Sequence, residues 1–192
     1  MSQVIYLHGF LSSPQSEKAQ LTKAYVQQNV KDVILHIPQI PNTIDKVADV
    51  ILPIVKPIVA DGEPLKLIGS SMGGFLSTWL IEQFGGKAVL INPAVAPYRL
   101  MQDYMGPHQN PYTLETFEVT EAHIDILRTL EPSAIAKPEC YKVLLQSGDE
   151  TLDYRLAEQR YVGGDVLVEQ GGNHSFVNYQ RHLGDIFDFL FA

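Results

Sequence analysis

Short apolar runs alternate along the chain with stretches in which apolar residues recur every three or four positions. Val4-Ile5-Tyr6-Leu7 is continuous, partly β-branched and closed by Gly9, which predicts a buried strand. From about Ser16 to Asn29 the spacing turns helical, with Leu21, Ala24, Tyr25 and Gln28 on one face. Val33 to Ile37 predicts a second strand, closed by Pro38. Thr43 is then placed as an N-cap, ahead of a helical face formed by Ile44, Val47, Ile51, Ile54, Val55 and Ile58. Pro53 and Pro57 fall inside that pattern. Each removes a helix hydrogen bond, so a bent or broken helix is expected.

Leu65 to Ile68 predicts a third strand that runs straight into Gly69. The clearest helix follows, with Met72, Phe75, Leu76, Trp79 and Leu80 in register and Gly85-Gly86 as its stop. Ala88 to Ile91 predicts a fourth strand, ending at Asn92-Pro93, and Tyr141 to Leu145 a fifth. A short helical stretch over Leu156 to Tyr161 leads to a sixth strand, Val166 to Val168. Leu183, Ile186, Phe187, Leu190 and Phe191 mark a final helix. Strands apolar on both faces, alternating with amphipathic helices, imply a parallel sheet covered on both sides and joined by right-handed crossovers.

Residues 98 to about 138 break this rhythm and show no clear strand. Their aromatic and methionine content argues against disorder and for an ordered cap or lid. Tyr98, Met101, Tyr104 and Met105 are candidates to line a substrate site there, against the simpler reading that they pack over the sheet.

A chain of 192 residues with 45% hydrophobic content suits one domain carrying a modest insertion. Cys140 is alone, so no intramolecular disulfide forms. The start, MSQVIYLHGF, lacks the basic and apolar regions of a signal peptide, and no apolar run nears the roughly 20 residues of a membrane span. A soluble, cytoplasmic protein is expected. A net charge of −8 argues against nucleic acid or an anionic membrane as the main partner.

Four short segments then suggest chemistry. Gly69-Ser70-Ser71-Met72-Gly73 lies between a strand and the best helix, the setting in which Gly-x-Ser-x-Gly lifts a serine nucleophile on a strained turn. Ser71 is that serine, and Ser70 falls beside the tip. His174, in Gly171-Gly172-Asn173-His174-Ser175-Phe176, follows the last strand and so emerges at the same sheet edge as Ser71, where it would serve as base. The orienting acid is Asp149 or Asp153. Asp149 lies nearer the strand end, and Asp153 is placed to cap the next helix. Glu150 is read as solvated. The backbone N–H groups of Phe10 and Met72 are the candidate oxyanion donors. The other histidines form no His-x-x-x-His or His-Glu-x-x-His pattern, and the glycines match neither a dinucleotide loop nor a P-loop. No metal or cofactor is expected.

Together, His8-Gly9-Phe10-Leu11-Ser12-Ser13-Pro14, Gly69 to Gly74, Ser147-Gly148-Asp149-Glu150 and Gly171 to Phe176 resemble the YqiA-like bacterial esterases over the whole chain. The resemblance implies a small α/β-hydrolase fold: six mainly parallel strands, helices on both faces, a small cap insertion at about 98–138 and no leading hairpin. The implied sheet order is 2-1-3-4-5-6. It further implies hydrolysis of carboxylic acyl esters, with acyl thioesters as further substrates, through Ser71, His174 and Asp149. Fold does not fix reaction, so lyase or perhydrolase chemistry and a non-catalytic ligand-binding role remain rivals. Oligomeric state is left open.

Overall fold

The computed structural model describes residues 1–192. The six apolar runs become strands of one parallel sheet: β1 (Ser2–Leu7), β2 (Val33–His36), β3 (Leu65–Ser70), β4 (Gly86–Ile91), β7 (Tyr141–Gln146) and β8 (Asp165–Glu169). They lie in the order β2-β1-β3-β4-β7-β8, which for these six strands is the expected order 2-1-3-4-5-6. Leu7 pairs with Gly69, Ser70 with Ile91, Ile91 with Leu144 and Gln146 with Glu169. This register brings the carboxyl ends of β1, β3, β4, β7 and β8 to one edge. Phe10, Ser71, Asn92, Asp149 and His174 all leave from it.

Side chains alternate across the sheet. Ile5, Leu7, Leu67, Leu90 and Val143 face a core shared with α2 (Val47–Ala60), α3 (Met72–Phe84) and α5 (Glu121–Leu130). Val4, Tyr6, Ile68, Val89 and Leu144 face a smaller core closed by α1 (Glu17–Asn29) and α7 (Leu183–Phe191). Burial on both faces explains why these strands read as continuous apolar runs. Two shorter helices, α4 (Pro97–Met101) and α6 (Tyr154–Arg160), complete the set.

Three expectations need correction. The helix α2 runs through Pro53 and Pro57 as one element rather than breaking at them. Both prolines lie on its exposed face, as does Asp49, so the carbonyls that lose an amide partner meet water. Val47, Ile51, Val55 and Ile58 stay buried on the other side and hold the helix to the sheet. The buried residues of α1 are Ala19, Thr22 and Val26; of the predicted face, Leu21 and Tyr25 pack half-buried against the core while Ala24 and Gln28 are exposed. Thr22 faces inward because its hydroxyl bonds the Tyr179 hydroxyl at 2.8 Å, while Tyr25 stacks on Phe187 from the flank.

The insertion does contain strands. β5 (Gly106–Gln109) and β6 (Thr116–Val119) form an antiparallel hairpin apart from the main sheet. Its turn is built by Asn110, whose Oδ1 accepts the N–H groups of Tyr112 (2.8 Å) and Thr113 (3.1 Å). Asn110 Nδ2 donates to Ser12 O (3.1 Å) and Asn42 Oδ1 (2.7 Å), fastening the hairpin over the loop after β1. No helix is long and apolar enough to cross a membrane.

Candidate active site

The strand β3 passes into α3 with Ser71 as the only residue between them. Ser71 has φ 55° and ψ −118°, a conformation that side-chain-bearing residues rarely adopt. The turn is pinned from both sides. Ser71 N–H donates to Ile91 O at 3.0 Å, and Ser71 O accepts from Ala94 N–H at 3.0 Å. Glycine is required around it by close approach. A Cβ at Gly69 would lie 2.3 Å from Gly73 O, and one at Gly73 would lie 1.9 Å from Leu7 O. Ser70 ends β3 as a buried residue.

Ser71, His174 and Asp149 form one continuous hydrogen-bonded chain. Ser71 Oγ lies 3.1 Å from His174 Nε2, and His174 Nδ1 lies 2.8 Å from Asp149 Oδ2 and 3.0 Å from Oδ1. The carboxylate can only accept at Nδ1, so Nδ1 carries the proton and Nε2 is left to accept from the Ser71 hydroxyl. The Asp149 side chain is 2% exposed, and the N–H groups of Thr151 and Leu152 also donate to its Oδ1 at 2.9 and 2.8 Å. Asp153 stands apart from this chain. Its Oδ1 caps α6 by accepting from Arg155 N–H, and its carboxylate pairs with the Arg155 guanidinium at 2.8 Å.

The loop carrying His174 is held by residues that the sequence did not single out. Gln146 Oε1 accepts from Asn173 N–H (3.1 Å) and Val177 N–H (2.9 Å). Asn92 Nδ2 donates to Asn173 O (3.1 Å) and His174 O (3.2 Å), and Asn92 Oδ1 accepts from Gln146 N–H (3.0 Å). Lys18 Nζ donates to Ser175 O at 2.8 Å. Glu150, read as solvated, instead accepts from His174 N–H at 3.0 Å, and that bond holds its carboxyl below the ordinary value. The one signal for Asn92 and Gln146 was position: each is polar and sits at the carboxyl end of an apolar strand.

The two candidate oxyanion donors sit beside Ser71. Met72 N–H opens the first turn of α3, where amides have no acceptor within the helix. Phe10 N–H makes no hydrogen bond within the protein. The Phe10 ring packs edge-on against Tyr104 and Phe117, each at 5.8 Å. The preceding His8 is buried. Its Nε2 accepts from Ile40 N–H at 3.0 Å while Nδ1 donates to Gly9 O at 2.9 Å, and burial lowers its pKa.

A narrow apolar cavity, partly open to solvent, borders Gly9, Phe10 and Met72. Of the four insertion residues proposed for a substrate site, Met101 lines it. Tyr104 stands behind Phe10, Tyr98 lies 5.5 Å beneath the Arg128 guanidinium, and Met105 is exposed. Much of the remaining wall comes from Val119, Ile124 and Leu127, which belong to β6 and α5. Ile124 and Leu127, three residues apart, carry a helical period that the sequence reading of the insertion does not include. No group of three or more His, Cys, Asp or Glu side chains is gathered as metal ligands.

A six-stranded parallel sheet with this strand order and a serine lifted on the β3–α3 turn defines an α/β-hydrolase fold. The chain belongs to the uncharacterised protein family UPF0227, the YqiA-like family, whose pattern matches residues 3–191. Solved structures agree on the fold. Est1E from Butyrivibrio proteoclasticus, with ferulic acid bound, is similar at TM-score 0.72 and 12% identity, over 100% of this chain and 88% of its own. The mouse alpha/beta hydrolase domain-containing protein 10 matches at TM-score 0.66 and 17% identity, over 97% and 89% of the two chains. The ydeN gene product of B. subtilis matches at TM-score 0.65 and 12% identity, over 100% of both.

Proposed function

We propose that this protein is a serine hydrolase of carboxylic acyl esters, acting as one domain. The observation that carries the reading is the unbroken chain from Ser71 Oγ through His174 to the buried Asp149 carboxylate. Each atom has the partner that acyl transfer requires of it. Ser71 attacks the acyl carbon as His174 Nε2 takes its proton. Asp149 keeps the imidazole in the accepting tautomer and stabilises the imidazolium. The Phe10 and Met72 amides receive the oxyanion. The leaving oxygen, or the sulfur of a thioester, takes the proton from His174. Water, activated by the same imidazole, then releases the acid.

The apolar cavity beside Phe10 and Met72 is the natural place for the acyl chain, with Met101 in its wall. That Est1E is recorded with ferulic acid, a carboxylic acid, supports an acyl substrate on this fold. The expected setting is cytoplasmic. The test is hydrolysis of p-nitrophenyl esters from acetate to palmitate, with acyl-CoA thioesters alongside. Ser71→Ala and His174→Ala are each expected to lower kcat by about 10⁴-fold or more while the protein stays folded. Wild-type turnover by Ser71→Ala would overturn the proposal.

A further inference from the structure

A second cleft opens on the other flank of Ser71. Gly9 borders both: a Cβ there would lie 3.3 Å from Ser71 Cβ, and the residue lines both the apolar cavity and this cleft. The cleft has about 550 Å³ of space, part of it open to solvent. Its chemistry is the opposite of the first. Tyr6, Ser12, Ser16, Ser70, Tyr112 and Ser175 bring hydroxyl groups to its wall.

Two of those hydroxyls have no place in the protein's own hydrogen bonding. Tyr6 and Ser70 are buried residues in the cleft wall whose hydroxyls make no hydrogen bond within the chain and are left open to the cleft. A bound molecule that carries hydroxyl groups would supply the hydrogen bonds that both are free to make. The charge in the wall is balanced, because Lys18 is accompanied by Glu17. Lys18 spends one of its three donors on Ser175 O and keeps two. Balanced charge and many groups that both donate and accept suit a neutral polyhydroxylated molecule better than an anion.

The rim adds an aromatic face. Tyr112 lies at the tip of the β5–β6 hairpin and is 51% exposed, so its ring faces are open to a ligand. Its position is fixed by Asn110, which holds the hairpin turn to Ser12 O. A flat apolar ring beside a hydroxyl-lined cleft matches a sugar, whose ring faces carry C–H groups and whose edges carry hydroxyls.

We propose that this cleft is the leaving-group subsite and that it takes a carbohydrate, so that the ester cleaved is an acylated sugar. The inference rests on the hydrolase reading of Ser71. The placement fits the proton path: Ser175 lines the cleft next to His174, which must protonate the leaving oxygen, while Phe10 and Met72 border the cavity on the acyl side. Ser71 Oγ bonds to the acyl carbon, and its proton passes to His174. The bond from the acyl carbon to the sugar oxygen breaks, and that oxygen takes the proton. Water then replaces Ser71 on the acyl carbon, returning a proton to Ser71 through His174. One ester and one water give one carboxylic acid and one sugar.

The test compares 6-O-butyrylglucose with ethyl butyrate. The acyl group is shared, so the ratio of their kcat/KM values reports the leaving-group side alone. Wild type is expected to favour the sugar ester, and Tyr6→Phe and Tyr112→Ala are each expected to lower the ratio by about tenfold. The melting temperature of Tyr6→Phe should stay at or above wild type, since the hydroxyl removed had no partner. A hydroxyl with a structural role would lower it. A ratio that is the same in wild type and both variants overturns the subsite. Saturation-transfer NMR with methyl α-glucoside reads the site without catalysis. Binding lost in Tyr112→Ala supports it, even if neither ester is cleaved and the hydrolase reading falls. Absence of binding together with an unchanged ratio overturns it, as occupation of the cleft by water alone would.

Discussion

At the residue scale, two carboxylates four positions apart have been sorted into different tasks by their surroundings. The Asp149 side chain is 2% exposed and faces His174 Nδ1, whereas that of Asp153 is 42% exposed and faces Arg155. Asp149→Asn would present an amide where the imidazole needs an acceptor. The ring would turn to the other tautomer, and kcat is expected to fall by about 10⁴-fold with little change in fold. Asp153→Ala removes only the cap of α6 and its exposed ion pair. It should lower the melting temperature slightly and leave kcat intact. Ester hydrolysis and thermal melts of the two variants check both. Equal activity losses would mean that the orienting acid has been misassigned. What the sequence made legible here were residues whose placement shows in their neighbours along the chain: Ser71 within its glycines, and His174 just after Gly171-Gly172. Asn92, Gln146 and Lys18 were not legible in this way. Their work is done across 81, 31 and 157 positions, between atoms that only the folded sheet brings together.

At the element scale, legibility followed burial. The four central strands are covered on both faces and read as continuous apolar runs, the two edge strands keep enough apolar residues to read likewise, and the strand order is what the family resemblance implies. The hairpin strands Gly106–Gln109 and Thr116–Val119 are short, bury only Val119 fully and mix polar residues with glycine and proline, so no apolar run marks them. In α1 two of the three buried positions are an alanine and a threonine, so the apolar period marks the half-buried flank of Leu21 and Tyr25 rather than the centre of the inward face. The prolines of α2 make a measurable case. A proline in a helix interior is about 3 kcal/mol worse than alanine, part of which returns through the stiffer unfolded chain. Pro53 and Pro57 sit on the exposed face with no packing role of their own. Pro53→Ala and Pro57→Ala should therefore each raise stability, by about 1–2 kcal/mol in denaturant titrations. A loss of stability in either would mean that the proline ring, not the helix hydrogen bond, dominates at that position.

At the scale of the whole molecule, the site and the fold share a histidine. His8 joins the carboxyl end of β1 and the Phe10 loop to Ile40, in the connection from β2 to α2 that forms part of the apolar cavity. Its Nε2 can accept from Ile40 N–H only while the ring is neutral, and burial pushes its pKa below the usual value near 6.5. Burial lowers His36 as well. Between the depressed folded value and about 6.5, the unfolded chain binds more protons than the folded one, so stability rises with pH across that window. The contribution is complete above about 6.5 and is lost as pH falls through the window, well before the carboxylates begin to protonate near 4. Urea titrations from pH 8 to 5 are expected to show that decline. His8→Gln offers Ile40 N–H an oxygen acceptor that does not ionise, so the decline should shrink to the part due to His36. An unchanged slope in His8→Gln would show that protonation elsewhere governs acid stability. A flattened one would mean that the same proton that loosens the sheet edge also loosens the wall of the apolar cavity, so that, if the proposed acyl site is right, acid would weaken ester binding and folding together.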